Sequence, residues 1–197
     1  MSSGPVPGTA GWLRWTYRTW EPLQQTQQLI VRGMRPQIVT EITGIPHGIC
    51  KELRRELLPD GPDIRGTIPS GMESRALRTE KMHRAGSVFV AVYLNAIGAQ
   101  AAARDLHVEA WCVAFDASQE VCERLGWEPM QADYGYIVAR EFTNPEARVY
   151  DWCKSCGAIY YRGCWNSNQC PFCRELSSSA ARRGRRAAGK EAPACTQ

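Results

Sequence analysis

The chain has 197 residues, 44% of them hydrophobic, with nine cysteines and a formal net charge of +4. This fits one main domain with a real core plus a small appendage, and no apolar run reaches transmembrane length. Met1 to Trp20 holds Gly, Pro, Trp and Arg without the continuous apolar stretch of a secretory signal, so a cytoplasmic protein with reduced thiols is expected.

Residues 1–22 read as a flexible Trp-rich arm, loosened by Gly4, Pro5, Pro7, Gly8 and Gly11. Trp12, Trp15, Tyr17 and Trp20 crowd together beside Arg14 and Arg18. Such aromatics either anchor a partner or fold back onto the core. A helical domain is expected over 23–147. Leu29, Ile30, Met34, Ile38, Val39 and Ile42 recur at helical spacing from about Gln24. Pro36 suits the first turn of a new helix, and Gly44 stops it. A further helix is expected from about His47 to Leu58, before the Pro/Gly loop 59–71.

The stretch Glu73–Asp105 reads as one broken helix or two adjacent ones, with the interruption near Gly86. Val88, Phe89, Val92, Tyr93, Ala96 and Ile97 form its apolar stripe. Val108–Leu125 reads as an amphipathic helix closed by Gly126, and Met130–Phe142 as a last helix before Asn144 and Pro145. Residues 148–176 change character: Cys, Gly, Tyr and Asn dominate, with a β-prone piece at Ala158–Tyr161. Residues 177–197 are Ser, Ala and Arg, the composition of a disordered basic tail.

Charge is unevenly spread. The stretch from Arg174 onward has six basic and two acidic residues, which accounts for the whole net charge. Segments 32–55 and 65–84 are each +3, and 85–150 has four basic and nine acidic residues. A basic front, an acidic middle and a basic end allow contact with a polyanion, although the same pattern also arises as a solvated surface.

The most specific motif is Cys153-Lys-Ser-Cys156 followed, after thirteen intervening residues, by Cys170-Pro-Phe-Cys173. Two residues between paired cysteines let both sulfurs reach one ion from a tight turn, and four thiolates suit a tetrahedral zinc ion. One structural Zn2+ is therefore expected, held in a module too short to bury much apolar surface without it. A thioredoxin-type redox pair would need a βαβ context that is lacking, and a catalytic zinc would need an open coordination position. Cys164 lies in the spacer and could replace a ligand. Cys50, Cys112 and Cys122 fall on apolar helix faces, as buried small hydrophobes do. His47, His83 and His107 have no ligand spacing to one another.

Residues 36–57 read as a helix-turn-helix-like segment. Val39, Ile45, Cys50 and Leu53 would lock the two helices together. The outer face of the second helix offers His47, Lys51, Arg54 and Arg55, and Arg35 precedes the first. These five are the expected DNA-facing residues, with the basic ones on phosphates. An ordinary helical hairpin has the same pattern. We find no paired acid and base, activated nucleophile or phosphate loop, so an enzyme is not expected.

Thr43-Gly-Ile-Pro-His-Gly-Ile-Cys-Lys-Glu-Leu-Arg-Arg-Glu-Leu57, the Pro/Gly loop with Gly66-Thr-Ile-Pro-Ser70, and the doubled cysteine pairs together resemble the FlhC family of flagellar master transcriptional regulators. The resemblance spans about Gln28 to Cys173. It implies a hetero-oligomer with an FlhD-type partner subunit that binds double-stranded promoter DNA upstream of flagellar operons and recruits RNA polymerase. It also implies a zinc site on Cys153, Cys156, Cys170 and Cys173. The expected fold is thus mainly α, a helical DNA-binding domain with a small C-terminal, four-cysteine zinc-ribbon-like module at 148–176. The rival expectation is a zinc-stabilised adaptor that binds only protein, through the acidic middle.

Overall fold

The computed structural model describes residues 9–61, 78–98, 106–143, 149–162 and 170–174, with the backbone alone for 9–19 and 143. Over these residues the fold is mainly helical, with one small two-stranded sheet and a C-terminal cluster of four cysteines.

The first helix, α1 (Thr9–Val31), begins well inside the span expected to be a loose arm. The Gly and Pro residues that suggested looseness mostly precede Thr9, and the segment behind them is compatible with helix. Pro22 lies within α1, and Thr26 Oγ1 donates to the Pro22 carbonyl at 2.8 Å. Gly33 at φ 86° ends the helix, with its N–H on the Ile30 carbonyl. Helix α2 (Pro36–Thr43) follows, with Pro36 at its first position, where the missing N–H costs nothing. Gly44 at φ 71° caps it in the left-handed conformation, and after a three-residue turn α3 (His47–Leu57) begins. Ile38, Val39, Ile45 and Cys50 are all buried between α1, α2 and α3. Thr26 and Thr43 also share a hydrogen bond across α1 and α2 at 3.1 Å.

Helix α4 (Glu80–Ile97) opens on Thr79, whose hydroxyl accepts from Met82 N–H. It runs through Gly86 without the interruption expected there. Tertiary packing explains the glycine instead, as described below. The rest of the expected 73–105 span lies outside the described residues. Helix α5 (Val108–Leu125) has the expected bounds, closed by Gly126 at φ 64°. Helix α6 (Ala132–Arg140) continues into a 3-10 turn, Glu141–Thr143.

The α4 and α5 helices form the centre. Phe89 stacks on Tyr93, and Trp111 stacks on Phe115, with Phe89 edge-on to Trp111 at 6.3 Å. The two helices run antiparallel, since Lys81 pairs with Glu128 and Arg84 covers the Trp127 ring. Cys50, Cys112 and Cys122 are buried in this core, as their apolar helix faces suggest. Strands β1 (Tyr150–Trp152) and β2 (Ile159–Tyr161) pair antiparallel, with Tyr150 opposite Tyr161 and Trp152 opposite Ile159. Strand β2 rests on α4, and Tyr161 belongs to the main core.

Candidate metal centre

The hairpin positions the first cysteine pair. Cys153 follows β1 directly, and its N–H donates to the Ala158 carbonyl at 2.9 Å. Gly157 N–H donates back to the Cys153 carbonyl at 2.8 Å, closing the turn that holds Cys156. Gly157 sits at φ 72°, where an L side chain is strained. The second pair comes from one helical turn at 171–174, with Pro171 at its start and Arg174 N–H on the Cys170 carbonyl. All four sulfurs lie within 4.8 Å of one another, with Cys153 to Cys173 at 3.7 Å and Cys156 to Cys170 at 3.8 Å. Thiolates about 2.3 Å from a central ion in a tetrahedron are separated by about 3.8 Å along each edge. The cluster therefore fits a metal ion, and among the described residues it is the one group of ligating side chains that does.

Electrostatics agree. The N–H groups of Cys156 and Ser155 hold the Cys153 thiol down to about 6. Hydrogen bonding to the sulfurs of Cys156 and Cys153 pushes Cys173 up to about 12. Thiols this close cannot all ionise at neutral pH unless a cation neutralises them. Beside the sulfurs lies an open concavity of about 760 Å3 whose lining includes Trp152, Lys154, Arg162 and Arg174. Arg162 faces Asp151 at 3.9 Å and Arg174 faces Glu80 at 3.0 Å, so the cations around the sulfurs are partly offset by carboxylates.

Three contacts dock the centre on α4. Gly86 leaves the space that the Tyr161 ring occupies: a Cβ there would meet ring carbons at 3.1 Å. Tyr161 N–H donates to Ser87 Oγ at 2.9 Å, and Ser87 Oγ donates to the His83 carbonyl. Arg174 pairs with Glu80 at 3.0 Å. Buried His83 meets the Tyr160 ring edge-on at 5.9 Å, so it is a packing residue. Sequence reasoning missed Gly86 and Ser87. A lone glycine inside a strong helical stripe was the available signal for a close approach.

The five residues expected to face DNA divide into two groups. His47, Lys51 and Arg55 are exposed on α3, four residues apart, and so form one stripe along it. Arg35 and Arg54 turn inward. The Arg35 side chain is 14% exposed, its Nε lies 2.6 Å from Asp133 Oδ2, and its backbone N–H donates to Asp133 Oδ1 at 3.1 Å. Arg54 is half-buried. Burial pushes the Asp133 carboxyl above its ordinary value, and Arg35 and the charge of Arg54 oppose that shift. Cys164, Cys195, residues 62–71 of the Pro/Gly loop and the basic tail 177–197 lie outside the described residues. Among the described residues no helix is long and apolar enough to cross a membrane. No protein-family model matches the chain, and no curated protein matches it.

Proposed function

We propose that this protein is a zinc-stabilised regulatory subunit that acts by binding macromolecules through an exposed helix, and that its target is double-stranded promoter DNA, engaged as a transcriptional activator of flagellar operons in a hetero-oligomer with an FlhD-type partner. The ion is zinc, held by Cys153, Cys156, Cys170 and Cys173. Four thiolates fill its coordination shell, so it shapes the fold and performs no chemistry. The observation that carries the reading is the stripe of His47, Lys51 and Arg55. Helix α3 packs mainly through Cys50, Leu53 and Arg54, which leaves most of its circumference open, as a helix must be to enter a groove. The resemblance carried by residues 43–57 and the cysteine pairs supplies the partner, the RNA polymerase contact and the promoter class.

The test is a titration of flagellar promoter DNA with the chain and its co-purified partner at several salt concentrations. Affinity should fall steeply with salt, and Lys51→Ala should flatten the logarithmic slope by about one. Salt-independent binding, or no footprint, sinks the DNA reading.

A second reading, an adaptor that binds only protein, has its own observation. Trp152 and Trp20 are each 60% exposed and Val113 is 57% exposed, the last on the outer side of acidic α5. Large exposed apolar side chains of this kind anchor protein partners. Partner binding that survives loss of Lys51 and Arg55, without any DNA footprint, selects this reading.

A further inference from the structure

The α2–α3 pair begins at a carboxylate that belongs to another element. Helix α2 has no acidic residue in its first turn, and Arg35 at its N-cap gives no side-chain cap. Asp133, in the first turn of α6, fills that place: one oxygen takes the Arg35 backbone N–H and the other lies against Arg35 Nε. Asp133 is 2% exposed, so the contact is shielded from water. Arg54, on the inner side of α3, adds its charge to the same carboxylate. One buried group of α6 thus meets the start of α2 and feels the charge of Arg54 on α3. The sequence placed Arg35 and Arg54 among the contact residues, but in the fold Arg35 is paired with Asp133 and Arg54 is half-buried beside the exposed stripe of His47, Lys51 and Arg55.

We infer that Asp133 is a positioning residue: through Arg35 it latches the α2–α3 pair to α6 and fixes the direction in which the His47, Lys51 and Arg55 stripe points. The latch stands on contacts within the chain. Its consequence for binding rests on the reading of α3 given above. Without the latch the pair samples other orientations, and the binding-competent one is only fractionally populated. Apparent affinity then falls by that fraction, while the bound state and its phosphate contacts stay the same.

The experiment uses the full chain with its partner and compares Asp133→Asn, Arg35→Lys and Lys51→Ala. Hydrogen exchange is read by mass spectrometry over 36–57 and over 108–125. Asp133→Asn should speed exchange over 36–57 by about tenfold or more and over 108–125 by less than about twofold, the mark of local opening. Arg35→Lys keeps the charge and the backbone N–H contact but loses the Nε contact, so it should show the same pattern more weakly and serves if Asp133→Asn does not fold. Promoter DNA affinity should fall for Asp133→Asn with its salt slope intact, whereas Lys51→Ala lowers the slope. Equal acceleration in both regions, or none over 36–57, overturns the latch. If Lys51→Ala changes neither affinity nor slope, the DNA reading fails while the exchange data still decide the latch.

Discussion

Gly86 and Cys112 show how single positions are set by packing. At Gly86 the added side chain of Gly86→Leu gains about 1 kcal/mol of helix propensity. It also drives into the ring of Tyr161, which is 1% exposed and held at its N–H by Ser87. Overpacking of that kind costs about 1–3 kcal/mol or more for a side chain this large, so a net loss of stability is expected in a denaturant titration. Bound metal should stay near one ion per chain, because the four cysteines themselves are untouched. Burial pushes the Cys112 thiol from 9.0 to about 11. The unfolded thiol ionises first as pH rises, so unfolding releases a proton between those values. Stability is fully present below about pH 9 and should decline toward pH 11. Burial also raises Cys122, Tyr93, Tyr136 and Tyr160, which act in the same direction. Melting temperatures that stay flat from pH 8 to 11 would contradict this assignment.

At the scale of elements, the hairpin and the cysteine turn carry the four cysteines that could hold an ion, and their order is expected to depend on it. Two strands of three residues each cannot hold together alone in water. Cys170→Ser should abolish stoichiometric metal binding and disorder the hairpin, while the helical circular-dichroism signal persists. Retention of one tightly bound ion per chain in that variant would point to another ligand, with Cys164 the first to examine. Helix α3 is the complementary case, since its fold needs only a narrow inner face. Arg55→Ala should therefore leave thermal stability within about 0.5 kcal/mol. On the DNA reading the same variant weakens promoter binding, and a footprinting titration measures it.

Across the whole molecule the metal module is joined to the core, because Tyr161 packs with the α4 and α5 helices and Arg174 reaches Glu80. A ligand that binds only the folded state stabilises everything coupled to it. Chelation should then lower the melting temperature of the helical body as well as unfold the hairpin. A helical melting curve unchanged by chelator would mean that docking on α4 contributes no stability. The α1–α3 unit is fastened to the rest in a more polar way. Arg32 forks onto Asp116 at 2.7 and 2.8 Å, Gln28 meets Cys112, and Arg35 reaches Asp133.

Features governed by neighbours in the chain were legible in the sequence: the spacing of Cys153, Cys156, Cys170 and Cys173, the stops at Gly44 and Gly126, and the burial of Cys50, Cys112 and Cys122. A tight turn, a left-handed cap and an apolar helix face each need only a few consecutive residues. The helix over Thr9–Trp20 was less legible, because Gly and Pro just upstream masked it. The unbroken α4, the seat of Tyr161 on Gly86 and the inward turn of Arg35 and Arg54 were decided by tertiary structure alone. Each depends on a partner far along the chain: Tyr161 for Gly86, and Asp133 for the two arginines. Composition and periodicity mark a residue as charged or small, but only the packed fold says which distant group it meets.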